Sequence, residues 1–247
     1  MTQRQAEGIV LCTWPMHEAD LIVSLFTREF GKVKGVAKSA LKSRKRFGGA
    51  LEPMTHVRAS FSDKPRQELV RLDSFEVIQS PLSRPVDYPR AAVLAFYSDV
   101  LEQSLQELDP QETIFRLVVA ALEHTTVEQP WLPSIYFSLW MLRLMGWLPG
   151  WQECLVCRKK LEPEAIWWSA LDDGIFCAEH RTGSSSRMSA DSWLLAQRIL
   201  RTPLPALMAE PWPKHRAADL RRFATQAIER HLERKLCSVV AMTQLGG

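Results

Sequence analysis

Four side chains in one short stretch have the types and spacing of a metal centre. Cys154 and Cys157 form a C-x2-C pair, and Cys177 and His180 form C-x2-H after a gap of nineteen residues. Two pairs of that spacing, each on a tight knuckle, can close a tetrahedron around zinc with three thiolates and one imidazole. A complete set of four leaves no open position for water, so the chemistry it points to is structural rather than catalytic. The alternative is a set of ordinary buried thiols in a module that packs without metal, through Trp167, Trp168 and Phe176.

The second signal is a run of charge of one sign. Gly31 to Arg46 holds Lys32, Lys34, Lys38, Lys42, Arg44, Lys45 and Arg46 and no acidic residue. The whole chain of 247 residues has 31 basic and 28 acidic side chains, so its net +3 is a local excess on a mildly acidic body. A solvated face normally mixes signs, whereas a one-sign run repels itself unless a polyanion neutralises it. Phosphate contact is the favoured reading over a bland lysine-rich loop.

Catalytic signatures are missing. There is no G-x-x-x-x-G-K-[ST] phosphate loop, no G-x-G-x-x-G after a strand, no G-x-S-x-G elbow and no H-E-x-x-H. His17, Glu18 and Asp20 read as a polar turn in preference to a metal or acid–base set. His56, His124, His215 and His231 are scattered, and Cys12 and Cys237 read as structural. Among the nine tryptophans, Trp140, Trp147, Trp167 and Trp168 are assigned to packing, and Trp14, the one beside the basic face, is with Phe47 a candidate for base stacking.

The elements that would position these groups change period along the chain. From Glu7 to Ile78, five short segments of strand character suggest a small barrel. Lys32, Lys34 and Lys38 share one parity of the third strand and should project from one face, while Gly35 marks a bulge or a close backbone approach. After Pro81 the period becomes helical, over Pro89 to Leu108 and again over Ile114 to Leu122. Trp131 to Leu148 is about as long as a membrane span, but Pro133 and Arg143 make it a buried core helix with a stop at Pro149 and Gly150. Ser189 or Asp191 is placed to cap a further helix. A last helix over Ala217 to Met242 sets Leu220, Phe223, Ala227 and Ile228 on one stripe, with Arg221, Arg222, Arg230, Arg234 and Lys235 opposite.

The expected class is α+β: an N-terminal five-stranded oligonucleotide-binding-type β-barrel, then an α-helical domain with an inserted zinc-finger-like module. The boundaries are 1–80 for the barrel, 81–150 with 185–247 for the helical domain, and 151–184 for the module. Neither a signal peptide nor a membrane span is read, and five cysteines with three in one cluster fit a reducing compartment, the cytoplasm.

In this order of elements the chain resembles the RecO family of recombination mediators. The resemblance is carried by GIVL at Gly8 to Leu11, Glu18 and Asp20 in EAD, FTREFGKVKGVAKSALKSRK at Phe26 to Lys45, CLVC at Cys154 to Cys157, GIFCAEH, and LERKLCS near the end. It implies a protein that binds single- and double-stranded DNA without sequence preference and anneals complementary strands with no nucleotide cofactor. It also implies help in loading RecA onto strands coated by single-strand DNA-binding protein, together with RecR, in DNA repair on the nucleoid. His180 stands where the zinc-bearing members of the family have a cysteine.

That role agrees with the chemistry of the residues. Backbone contacts by Lys and Arg give affinity that reads no bases. Six single-stranded phosphate contacts from the basic run would give a slope of log K on log salt of about −4. Arg221, Arg222 and Arg230 are candidates to extend the track, against a solvated face diluted by Asp219, Glu229 and Glu233. Annealing needs no bond-making residue, so no enzyme is expected. An apolar groove near Arg116 or Arg143 would suit the C-terminal acidic tail of the single-strand DNA-binding protein. The competing readings are a zinc-stabilised scaffold for an acidic protein partner and a metal-dependent nuclease using Glu18 and Asp20.

Overall fold

Alternation of apolar and polar residues in the first eighty positions produces five strands in the computed structural model, which describes residues 2–63, 68–163, 166–210 and 217–239. They are β1 (Thr2–Pro15), β2 (Leu21–Thr27), β3 (Gly31–Ala37), β4 (His56–Asp63) and β5 (Val70–Gln79), with a single-turn helix α1 (Arg44–Phe47) after β3. The strands close into a barrel in the order β1-β2-β3-β5-β4, with β1 also paired to β4. All pairings are antiparallel except β3 with β5. A register shift between Val10 and Cys12 lets the long β1 bend from one partner to the next. Val10, Val23, Leu25, Val33, Val57, Phe61 and Leu72 fill the interior, and Phe47 packs edge-on against Phe75 with ring centres 5.5 Å apart.

Gly35 is where β3 meets β5. A Cβ there would lie 2.7 Å from the Val70 side chain and 2.8 Å from that of Leu72, so the close approach expected from the sequence is the one that closes the barrel.

Two helices follow, α2 (Tyr88–Ser104) and α3 (Glu112–His124). Asp87 caps α2 by accepting a hydrogen bond from the Arg90 backbone N–H at 2.9 Å, with proline in the first turn. The helical period predicted as far as Leu108 breaks at Ser104. Leu108 is 72% exposed, and its N–H donates to the Lys32 carbonyl at 3.0 Å, so the chain leaves the helix to lie along β3 before Pro110.

The chain divides into two compact units, residues 1–122 and 123–247. The first extends past residue 80 because α2 is bonded to the barrel: Ser98 Oγ donates to the Leu11 carbonyl at 2.7 Å, and Glu102 accepts from Ser24 Oγ at 2.5 Å.

The second unit is built on α4 (Trp131–Leu144), which buries Leu132, Ile135, Phe137, Leu139 and Met141. Its end precedes the Pro149–Gly150 stop signal. Gly146, at φ +73, reverses the chain so that the N–H groups of Trp147 and Leu148 both reach the Leu142 carbonyl. Then come a small sheet of order β7-β6-β8, from β6 (Ile166–Trp168), β7 (Ile175–Phe176) and β8 (Ser186–Met188), and the helices α5 (Ala190–Ile199), α6 (Leu204–Met208) and α7 (Ala218–His231). Ser189, rather than Asp191, caps α5. Phe223 of α7 packs edge-on against both Trp151 and Trp168, at 5.2 and 5.5 Å, and so fixes the small sheet to the helices. The final helix, expected as far as Met242, ends at His231, and Met242 lies outside the described residues.

Candidate metal centre and nucleic-acid interface

The cysteine module is two knuckles facing each other. In the first, the Arg158 N–H returns to the Cys154 carbonyl at 3.0 Å, and Arg158 takes the left-handed conformation at φ 59. In the second, a single 3-10 turn carries Cys177 and His180, whose N–H donates to the Cys177 carbonyl at 3.2 Å. The Leu155 N–H donates to the Ile175 carbonyl at 2.9 Å and holds the knuckles together.

The four candidate ligand atoms lie within 4.8 Å of one another, the one such grouping among the described residues. Cys157 Sγ is 3.9 Å from Cys177 Sγ, and His180 Nδ1 is 3.9 Å from Cys154 Sγ and 3.2 Å from Cys177 Sγ. A tetrahedral ion with Zn–S bonds of about 2.3 Å requires edges of about 3.8 Å, so the donor set fits a closed site. Burial by itself pushes the Cys154 thiol up. The backbone N–H groups of Cys157, Cys177 and Val156 outweigh it and bring that thiol down to about 6. Cys157 goes the other way: the Lys159 N–H favours its thiolate, but desolvation and the sulfurs of Cys154 and Cys177 hold its pKa above the ordinary value.

The structure divides the basic run in two. Lys32 and Lys34 share a face of β3, as their parity requires, but that face is covered by α2 and the segment after it. Lys32 is 6% exposed and donates to the Glu102 carbonyl at 2.6 Å. Lys34 pairs with Glu107 at 2.9 Å and Glu102 at 3.5 Å. Both ammonium groups thus have acidic or carbonyl partners within the fold.

Lys38 lies beyond the end of β3 on a connection that continues through Lys42 into Arg44 and Lys45 of α1, and all four are exposed. The loop is held from below. Asp20 accepts from the Ser39 N–H at 2.7 Å, the Leu41 N–H reaches the Ala19 carbonyl at 3.2 Å, and Arg46 donates to the Lys38 carbonyl at 2.6 Å. Arg46 is therefore half-buried and serves as the brace of the loop. Phe47 is 2% exposed inside the barrel, which removes it as a stacking platform, while Trp14 is 40% exposed.

Beside Lys38 runs a groove of about 750 Å³ lined by Met16, His17, Val36, Leu69, Val70 and Arg71, among others. Arg71 escapes a sequence reading because it is flanked by acids and pairs with Asp73 at 3.0 Å. Only the parallel pairing of β3 with β5 brings it next to the basic loop.

The arginines of α7 do not form a track. Arg230 donates to the Asp172 carbonyl at 2.7 Å and pairs with the Asp173 carboxylate, so it ties the helix to the cysteine module. Arg221 is half-buried, and desolvation pushes its pKa down. Arg222 alone is exposed. Of the groove candidates, Arg143 donates to the Leu200 carbonyl at 3.2 Å and stacks on Trp140, whereas Arg116 is exposed. Glu18 is exposed and Asp20 is bonded to Ser39, and among the described residues neither joins a grouping of potential metal ligands. No described helix is long and apolar enough to cross a membrane.

Comparison with known proteins covers nearly the whole chain. Residues 1–81 match the family described as Recombination protein O N terminal, and residues 85–239 match Recombination protein O C terminal. A DNA repair protein RecO from Koribacter versatilis is 48% identical over 242 residues, 98% of this chain and 99% of the relative. One from Anaeromyxobacter dehalogenans is 28% identical over 249 residues, covering 100% and 98%, and one from Syntrophobacter fumaroxidans is 31% identical over 182 residues, covering 73% and 72%.

Proposed function

The chain belongs to the RecO family of DNA repair proteins, and on that premise we propose that it is a recombination mediator that binds DNA through its barrel and anneals complementary strands. The observation that carries this reading is the acid-free loop from Lys38 to Lys45, exposed at four cations and braced from beneath by Asp20 and Arg46. Cations held on one side of a barrel, beside a groove with mixed apolar and polar walls, suit a sugar–phosphate backbone with bases turned inward, as in oligonucleotide-binding folds. The mechanism is electrostatic. Neutralising phosphates on two strands lowers the barrier to their encounter, and no bond is made or broken by the protein.

Zinc is the group proposed for Cys154, Cys157, Cys177 and His180, where it would cross-link the two knuckles and leave no site for chemistry. The proposed partners are single- and double-stranded DNA, RecR and the tail of single-strand DNA-binding protein, whose acidic residues require a cation. Arg116 is the exposed candidate for that contact.

The test is annealing of two labelled complementary oligonucleotides at low and moderate salt, without nucleotide or magnesium. The wild type is compared with Lys42→Ala/Arg44→Ala/Lys45→Ala. Salt-sensitive acceleration by the wild type, reduced at least about tenfold in a folded variant that has lost three phosphate contacts, is the expected result. A wild type that accelerates nothing at either salt would favour the zinc-stabilised scaffold with an acidic protein partner.

A further inference from the structure

The cysteine module presents cations of its own. Cross-strand partners in the small sheet put Trp167, Phe176 and Arg187 on one face, opposite the face on which Trp168 packs against Phe223. Phe176 is buried and Trp167 half-buried, while Arg187 is exposed. Arg181, also exposed, lays its guanidinium over the Trp167 ring, 4.8 Å from its centre.

Between the two arginines the chain reads Thr182, Gly183, Ser184, Ser185, Ser186. The hydroxyls of Thr182, Ser184 and Ser185 are linked at 3.0 to 3.1 Å. No acidic residue occurs from His180 to Ala190, and among the described residues no carboxylate pairs with Arg181. The nearest acid in sequence, Glu179, is paired to Lys159 at 3.6 Å.

We propose that this face, formed by Arg181, Arg187, Trp167 and the hydroxyl loop, binds a second DNA strand by its phosphates, so that a single chain carries both strands to be annealed. The inference rests on the annealing function proposed above. A guanidinium resting over an indole is partly ordered already, and so loses less rotamer freedom on meeting an anion. Serine and threonine hydroxyls are the usual companions of arginine on phosphate and sugar oxygens. The aromatic rings of this face, Phe176 buried and Trp167 beneath the Arg181 guanidinium, present little apolar surface on which a peptide side chain could anchor. That favours a strand over an acidic peptide as the occupant.

The experiment compares the full-length wild type with Arg181→Gln/Arg187→Gln and with the barrel-loop variant described above. Native mass spectrometry with a non-complementary oligonucleotide of roughly 12 nucleotides, within the site sizes of single-strand binding folds, counts strands per chain. Annealing rates are measured alongside. Two strands are expected on the wild type and one on each folded variant, with annealing slowed at least tenfold in both. Far-ultraviolet circular dichroism and metal content confirm that the module is intact. Unchanged stoichiometry and annealing in a folded Arg181→Gln/Arg187→Gln protein, with the barrel-loop variant impaired, would overturn this inference and leave the mediator function standing. A wild type that neither binds nor anneals would overturn both. Loss of binding to a polyglutamate peptide, with annealing retained, would assign the face to an acidic protein instead.

Discussion

A buried ammonium group is stable only where acceptors replace its water, and Lys32 has them in the carbonyl of Glu102 and the carboxylate 4.0 Å away. Burial pushes the Lys32 pKa down, with Glu102 opposing, while the hydrogen bond to Glu107 raises that of Lys34. The two therefore act in different pH windows. For Lys32, whose folded pKa lies below the unfolded value, the unfolded chain binds more protons between the two values, so stability rises with pH there and levels off above the unfolded value. For Lys34, stabilisation is complete below the unfolded value and is lost as pH rises through the higher folded one. Lys32→Met should cost about 1–3 kcal/mol at neutral pH, because it leaves Glu102 short of a donor. Urea unfolding at several pH values should show the advantage of the wild type growing as the unfolded lysine pKa is approached from below. DNA affinity of the folded variant should be unchanged, and a large loss of affinity would return Lys32 to the interface. The neighbouring Gly31 carries a different constraint. At φ +69, with a Cβ running into the backbone of Asp109, Gly31→Ala meets both strain and a clash, and should destabilise by about 1–3 kcal/mol or more in the same urea assay.

The knuckles of the cysteine module are small elements whose own contacts are few: short strands, a 3-10 turn and a handful of backbone hydrogen bonds. Metal ligation should supply much of their order, and its pH dependence follows from the two thiols. Cys154, at about 6, is already a thiolate at neutral pH, whereas Cys157, with its raised pKa, must release a proton when metal binds. Metal affinity should therefore rise with pH through neutrality and collapse below about pH 6, as ligand protonation competes. Zinc competition with a chromophoric chelator measures this, and a pH-independent affinity would contradict the ligand set. Both knuckles were legible in the sequence because a ligand pair is local, as were the five strands, whose alternation is also local. Helix ends were less legible. Leu108 and Trp147 continue an apolar pattern, but a pairing with β3 and a left-handed Gly146 end the helices first. The same limit applies to Lys34 and Arg230. Their partners, Glu107 and Asp173, lie far along the chain, and nothing in the basic run or in the face of the last helix announces them.

For the molecule as a whole, the net +3 says little about where an anion would bind, since 28 acidic side chains offset most of the 31 basic ones. The fold resolves this by using some acids internally. Glu102 and Glu107 neutralise Lys32 and Lys34, and Asp20 is bonded to the backbone of Ser39, which leaves Lys38, Lys42, Arg44 and Lys45 facing solvent. Only these four should release counterions from a single strand bound at the barrel, so log K should fall with log salt at a slope of about −3, from roughly 0.7 per contact. Six contacts from the seven-residue run, taken at face value, lead to a steeper value of about −4. Titration of a labelled oligonucleotide across a range of salt distinguishes the two. A slope of about −4 would mean that Lys32 and Lys34 leave their carboxylates on binding, and a slope near zero would remove phosphate contact altogether. Annealing involves two strands, so its rate should depend on salt more steeply than single-strand binding does, by about 0.7 for each arginine of the Trp167 face that takes part. In Arg181→Gln/Arg187→Gln that excess should vanish while the barrel slope stays the same, because the two cation sets belong to separate compact units of the chain.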